Sequence, residues 1–207
     1  MTEGLATHNT SLACAEARIR DIIAGSPVPE DPPHAENTLQ WLLRLAPDAD
    51  PALRLAALGH DIDRAVPDKV RREDFSDYDA FKAAHAEHSA RILARLLAEC
   101  GVSAPLIEET CRLVERHEIG GDPRSDLLKD ADSLSYFEVN LPLYLAREGE
   151  AETLRRCRWG VRRLSANARQ RLARLHFADP RQAALVRQAL ETERGGAAKA
   201  PSSLADK

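Results

Sequence analysis

The sequence predicts an all-α protein with about eight or nine helices, and three observations lead there. Aromatic residues supply only 4% of the 207 residues, so the 43% apolar fraction is built mainly from Leu, Ala, Ile and Val, a mixture weighted toward helix formers. Apolar positions recur at helical spacing, as in Ile92, Leu93, Leu96 and Leu97. Breaks containing proline or glycine divide the chain into pieces of helix length, and no internal repeat is visible.

A first helix is expected from about Ser11 to Ile23, ending in the turn-rich GSPVPEDPP. Asp31 is placed to cap a second helix, with Pro32 in its first turn, His34 close behind, and Trp41, Leu42, Leu43 and Leu45 on its apolar side. Asp50-Pro51 is another cap-and-proline start, and its helix, PALRLAALGHDI, carries His60 and Asp61 at the C-terminal end. The polar stretch RAVPDKVRREDFSD is long enough to be a functional loop. A fourth helix spans roughly Tyr78 to Cys100, with Gly101 where a C-terminal cap belongs. Ser103 and Pro105 open a fifth helix that leads to His117. Gly120-Gly121-Asp122-Pro123 then breaks the chain, and a sixth helix, holding Lys129, Asp130 and Asp132, begins near Arg124. Three amphipathic pieces follow at about 149–163, 166–176 and 180–193. The last has Asp179 as cap and Gln182 three residues on, a capping-box pattern.

These pieces suggest an N-terminal helix within 1–28 packed on a core, the core itself over 29–148, a helical extension over 149–193, and a disordered tail over 194–207. A net charge of −4 and a pI near 6.0 disfavour a general polyanion binder. Residues 155–187 do hold ten arginines and a single acid, Asp179, which reads as a solvated helix face rather than a nucleic-acid surface. No stretch approaches the ~20 apolar residues that span a bilayer, and the N-terminal apolar run is too short and interrupted for a signal peptide. Cys14, Cys100, Cys111 and Cys157 form no C-x-x-C pair and read as buried or half-buried thiols in a reducing compartment. The expectation is a cytoplasmic protein with no membrane partner, for which a homodimer is allowed.

The informative feature is an ordered set of side chains: His34, His60-Asp61, His85, His117 and Asp132, drawing on four of only seven histidines. Neutral imidazole and carboxylate donors on converging helices suit Fe, Mn, Zn, Co or Ni rather than calcium. Taken singly, each residue has an ordinary structural use: a cap contact for His34, a helix end for His60 and Asp61, a satisfied half-buried ring for His85 and His117. Taken together, they point to a metal site.

In this order the chain resembles the HD superfamily of metal-dependent phosphohydrolases, whose signature is H…HD…D with a last element A-D-x-L, here Ala131-Asp132-Ser133-Leu134. The two further histidines resemble the longer variant H…HD…H…H…D, which binds two metals. His85 lies in HAEHSARIL, similar to the family's H-x-x-x-[GS]-A, and His117 lies in RLVERHE. The resemblance covers about residues 30 to 140 and implies an HD-like helical bundle. It also implies one metal on His34, His60, Asp61 and Asp132, and a second sharing Asp61 and adding His85 and His117. Bridged divalent ions would activate a hydroxide for phosphoester hydrolysis, with Mg admissible at one of the two sites.

In the same family a Lys or Arg three residues after the HD pair commonly touches substrate, which places Arg64 with Asp61 among the residues expected to carry catalysis; Lys129, three before Asp132, is a further candidate. His88 could bond to a metal ligand, touch substrate or lie on the surface, Asp130 reads as structural or as a support for a ligand, and His8 and His176 fall outside the pattern. There is no G-Y-P string, and HDIDRA lacks the Glu-Asp of guanosine-tetraphosphate hydrolases. The implied substrate is therefore a small phosphorylated or otherwise anionic molecule, a phosphate ester or nucleotide. The alternative is an HD-type mixed-valent diiron oxygenase with the same ligands. The interval of only 15 residues from His117 to Asp132 favours hydrolysis.

Overall fold

The computed structural model describes residues 2–197, with side chains from 10 to 194. Its helices are α1 (Thr2–Ala24), α2 (Asp31–Leu45), α3 (Pro51–Gly59), α4 (Tyr78–Glu99), α5 (Ala104–Arg116), α6 (Pro123–Ser135), α7 (Leu141–Arg163), α8 (Ala166–Leu172) and α9 (Pro180–Ala197). Short 3-10 turns occupy Ile62–Ala65 and Arg72–Asp74, and a π turn occupies Tyr136–Asn140. There is no strand among the described residues, and the fold is all-α as expected. The expected tail lies outside the described residues from 198 onward, while α9 itself continues to Ala197.

The chain divides into two compact units, Met1–Ser135 and Tyr136–Lys207. In the first, α3 is central and packs on α1, α2, α5 and α6. Its sequence PALRLAALG is apolar on nearly every face, and seven of its nine residues are buried, as a helix enclosed by others requires. Leu55 and Leu58 are sealed from solvent, as are Leu42, Leu93, Leu97, Leu113 and Leu128 from the helices around it. Each such leucine contributes about 1.5–3 kcal/mol relative to exposure. Gly59 closes α3 against α4: a Cβ there would meet Leu93 Cδ2 at 2.7 Å, so glycine permits the close approach just before His60.

The helix starts show which caps the sequence could specify. Asp50 caps α3, accepting from Leu53 N–H at 3.1 Å. Asp50 also receives Arg124 through two nitrogens at 2.7 and 3.1 Å, while Arg124 Nε reaches Glu109 at 2.9 Å, so the start of α3 is tied to α5 and α6. Asp31 departs from its expected role. The N-cap of α2 is Glu30, with no side-chain cap bond, and Asp31 lies inside the helix. Its carboxylate is instead buried, accepting Ser26 Oγ–H at 2.5 Å and pairing with Arg64. The two prolines after it tolerate either register, so the pattern was ambiguous by one residue.

The cysteine expectation needs correction. Cys14 in α1 and Cys100 after α4 form a disulfide across 86 residues of sequence, a spacing that no local motif announces. Cys111 and Cys157 are free thiols, pushed up by burial to about 11 and about 12 respectively, which makes them unreactive.

In the second unit α7 packs on α9, with a bend at Gly149, whose φ of 77° suits glycine. Phe137 is buried against Gly160. Part of the arginine-rich stretch is spent on packing: Arg156 lies over the Tyr136 and Trp159 rings, Arg163 lies over Trp159, and Arg162 pairs with Glu193 at 3.1 Å.

Two predictions concern this scaffold. The Arg124 bonds hold the Asp50 carboxyl below its ordinary range against a smaller opposing effect of burial. A carboxylate whose folded pKa is depressed stabilises above its unfolded pKa, and that stability is lost as pH falls through the folded value. Asn still caps a helix, so Asp50→Asn should cost about 0.5–1 kcal/mol at pH 7, with the gap to wild type closing below about pH 4. A gap independent of pH in thermal melts refutes the pairing. Replacing Cys14 and Cys100 together by serine should lower Tm by roughly 5–10 °C, since a closed loop of this length is worth about 2–4 kcal/mol. An unchanged melt would show the bond absent from the folded protein.

Candidate metal centre

His60 and His117 are built alike. Each follows the last residue of its helix, α3 or α5, and keeps helical backbone angles, φ −55° and ψ −34° for His60, φ −60° and ψ −26° for His117. Each points Nδ1 back at the carbonyl three residues earlier, Ala57 O at 3.0 Å and Val114 O at 2.6 Å. A carbonyl only accepts, so Nδ1 carries the proton and Nε2 keeps its lone pair. In each case the imidazole donates to a carbonyl of the last turn, and at Val114 O it joins the His117 N–H at 3.3 Å. Both rings are wholly buried, at 0% exposure.

His34 and His85 are oriented from behind by other partners. Ser135 Oγ donates to His34 O at 3.1 Å and therefore faces His34 Nδ1, 2.8 Å away, as an acceptor. Asp63 Oδ2 accepts from His85 Nδ1 at 2.8 Å, and the other oxygen of Asp63 accepts from His88 Nδ1. Asp63 is held in turn by Val70 N–H at 3.1 Å, while its own N–H donates to Ser89 Oγ at 3.3 Å. His88 thus belongs to the support of the site. Asp63 and Ser135 were not foreseen from sequence.

All four Nε2 atoms turn inward. His34 Nε2 lies 3.2 Å and His60 Nε2 3.6 Å from Asp132 Oδ1. His85 Nε2 lies 2.8 Å from Asp61 Oδ1, and Asp61 Oδ2 is 3.8 Å from His60 Nε2, so the carboxylate faces both halves. Glu118 Oε1 stands 3.1 Å from His117 Nε2 and is bonded to Lys82. Two groups result, His34–His60–Asp132 and Asp61–His85–His117, each with its ligand atoms within 4.8 Å of one another, and each could hold a metal ion. The six residues picked out in sequence are brought together. Asp61 and Asp132 are 15% exposed and form the accessible edge.

The family described as a domain of unknown function, DUF4202, matches residues 13–186, which include all six convergent residues. The chain belongs to the DUF4202 family. No curated protein and no solved structure matches it. No helix among the described residues is long and apolar enough to cross a membrane.

The donor set of this DUF4202 chain fits a cation. Imidazole nitrogens and carboxylate oxygens converge here at close range, and such a set is held together by a proton or by a cation. His60 Nε2 is buried with no partner at hydrogen-bond distance, its nearest carboxylate oxygen standing 3.6 Å away. The same crowding shows in the ionisation. Burial pulls the His60 pKa down, but Asp61 and Asp132 outweigh it and raise it to about 9. Burial also opposes charge on His85, which its bonds to Asp61 and Asp63 overcome. Asp61 is held well below the carboxylate range despite burial, chiefly by His60 and His85. Protons and divalent ions compete for such a place.

The two candidate cations separate. Arg64 is drawn to the site, with Nη2 2.9 Å from Asp31 Oδ1 and Nη1 3.4 Å from Asp61 Oδ2. Lys129 is not; its Nζ bonds Asp126 Oδ1 at 2.7 Å and Ile119 O at 3.4 Å, beside Gly120, where φ is 72°. Arg64 therefore has a structural duty. Arg64→Ala should destabilise by about 1–3 kcal/mol, roughly 3–10 °C in Tm, because the buried Asp31 carboxylate loses its counter-charge. Adding Asp31→Asn to that variant should restore part of the loss. Melts in which Arg64→Ala matches wild type rule this out.

Proposed function

We propose that this protein is a metal-dependent hydrolase of the HD type, acting on a small phosphate ester or nucleotide with two divalent ions. The observation that carries the reading is the common state of the four histidines: each is anchored through Nδ1 from outside, and each offers Nε2 inward beside Asp61 and Asp132. Fixing the tautomer from behind is what metal-binding histidines need. The order of the same residues along the chain resembles the longer HD signature, which supports hydrolysis over other metal chemistry.

Divalent ions bound here would lower the pKa of coordinated water and neutralise phosphate charge. The residues do the rest. The buried imidazoles exclude solvent from the floor, and Asp61 and Asp132 form the edge that a substrate would approach. Arg64, 38% exposed, restrains the outer oxygen of Asp61. Only some of its five N–H donors are engaged there and at Asp31, leaving others for an anionic oxygen of the substrate. Lys129 has its place in the loop after α5 and no part in this reading. A cytoplasmic location belongs to the proposal as well. The Cys14–Cys100 bond is its counterweight, since reducing compartments keep such bonds rare, and thiol counting on protein taken directly from cells decides the matter.

Anaerobic purification with metal analysis should return two divalent ions per chain. A phosphate-ester panel should show phosphate release that is independent of oxygen, abolished by chelator and restored by Mn(II). Asp61→Ala should lower turnover by at least about a hundredfold and loosen both ions, because Asp61 faces both halves. Protein that neither holds nor takes up a divalent cation sinks the proposal. Oxygen consumption without phosphate release transfers it to the diiron oxygenases.

A further inference from the structure

We propose that Phe75, Tyr78 and Phe81 form an aromatic wall beside the metal centre that receives a planar ring carried by the anionic substrate. The inference rests on the proposed function for the place of the substrate's phosphate, and it adds the class of group to which that phosphate is joined.

The chain holds only nine aromatic residues, four Phe, three Tyr and two Trp. Three of them fall within seven positions, in the stretch RREDFSDYDAF that runs from the loop after His60-Asp61 into α4. Their rings form a series, with centroids 6.1 Å apart from Phe75 to Phe81 and 6.0 Å apart from Tyr78 to Phe81. Phe81 then meets the ring of His85, one turn further along α4, at 6.2 Å with the planes inclined by 31°. These spacings lie in the range at which aromatic rings attract one another. The wall thus ends on a side chain of the Asp61–His85–His117 group.

Core packing does not account for these rings. Phe137 and Trp41 are buried, whereas Tyr78 is 36% exposed and Phe75 and Phe81 are half-buried. An unburied aromatic cluster beside a polar site is characteristic of surfaces that receive a ligand. The wall is also held in place. Asp77 caps α4 by accepting Ala80 N–H at 2.9 Å, and its carbonyl accepts Phe81 N–H at 3.2 Å. Arg72 lies over the Tyr78 ring while donating to Phe75 O. Rings fixed before binding lose little freedom when a ligand stacks on them. Asp61, at the accessible edge of the centre, is bonded to His85, on which the wall ends, and Arg64 restrains the other oxygen of that carboxylate. An anionic group at the edge and a planar group on the wall are the two ends of one small substrate. A nucleobase and an aryl group are the two chemistries that supply such a ring.

The test is calorimetric binding of phosphonates, which resist hydrolysis, to full-length protein loaded with Mn(II) in the absence of oxygen. Two pairs are compared: phenylphosphonate with cyclohexylphosphonate, and adenosine 5′-methylenephosphonate with its counterpart lacking the base. In wild type the planar member of at least one pair should bind roughly five- to hundredfold more tightly, the range for stacking on aromatic side chains. The pair that responds identifies the ring as an aryl group or a nucleobase. Phe81→Leu, which keeps an apolar side chain but no ring, should cut that preference by roughly three- to tenfold. Adding Phe75→Leu should bring it close to one. Thermal melts establish that the variants fold, and the ratio within a pair cancels any change in metal affinity. Parity within both pairs in wild type overturns the inference, as does a preference that survives in both variants. Protein that takes up no Mn(II) overturns the proposed function, and the same ratios measured without metal then decide whether the wall takes a ring. Two bound ions with parity in both pairs overturn this inference alone.

Discussion

The structure depends on one constraint: a helix that ends inside the protein must find donors for its last carbonyls. The central helix α3 is apolar on nearly all sides and terminates in the interior, and α5 ends at the buried ring of His117. A buried carbonyl without a donor is costly. His60 supplies such a donor to Ala57 O through Nδ1–H, and His117 adds its own to Val114 O beside its backbone N–H, so that both rings turn Nε2 inward. Helix termination and ligand orientation are therefore settled by the same bonds. The ordinary reading of these histidines as helix ends and the functional reading as ligands do not compete.

Charge is distributed by the same economy. Asp31 has Arg64, Asp63 has His85 and His88, and Glu118 has Lys82, so the buried acids around the centre are matched with cationic or donor groups. Asp61 and Asp132 differ, because what they face is mainly imidazole nitrogen: His60 and His85 for Asp61, His34 and His60 for Asp132. Arg64 touches only the outer oxygen of Asp61. These two carboxylates, 15% exposed, form the accessible edge of the group.

The sequence displayed what is local or ordered along the chain. Helix spacing, the Asp50 cap and the succession of ligand residues were legible because each is written within a few positions or in a recognisable order. The anchoring partners were not. Ser135 lies 101 residues from His34, Asp63 lies 22 from His85, and Cys14 lies 86 from Cys100. No periodicity carries a pairing over such distances. Asp63 left a faint trace, as the second acid of HDID two residues after Asp61, and Glu118 left one in its place beside His117. Nothing local in the sequence marks either as turned inside. Arg64 was legible as a residue near the opening but not as the partner of Asp31, because that requires knowing that Asp31 faces inward.

The four anchors also differ in kind, and the difference bears on how the two halves of the centre would share their ions. From the chain order alone, His85 and His117 look like the looser half, being the additions to a shorter signature. The anchors argue otherwise. His60 and His34 are backed by a neutral carbonyl and a hydroxyl, whereas His85 is backed by the Asp63 carboxylate. A carboxylate behind an imidazole raises its basicity and its strength as a ligand. Asp63 is itself fixed by His88 and a backbone N–H, so the ring it holds has little freedom to turn away. The Asp61–His85–His117 half thus combines the more basic histidine with the carboxylate that faces both groups. On physical grounds it should hold its ion at least as firmly as the half that the shorter signature defines.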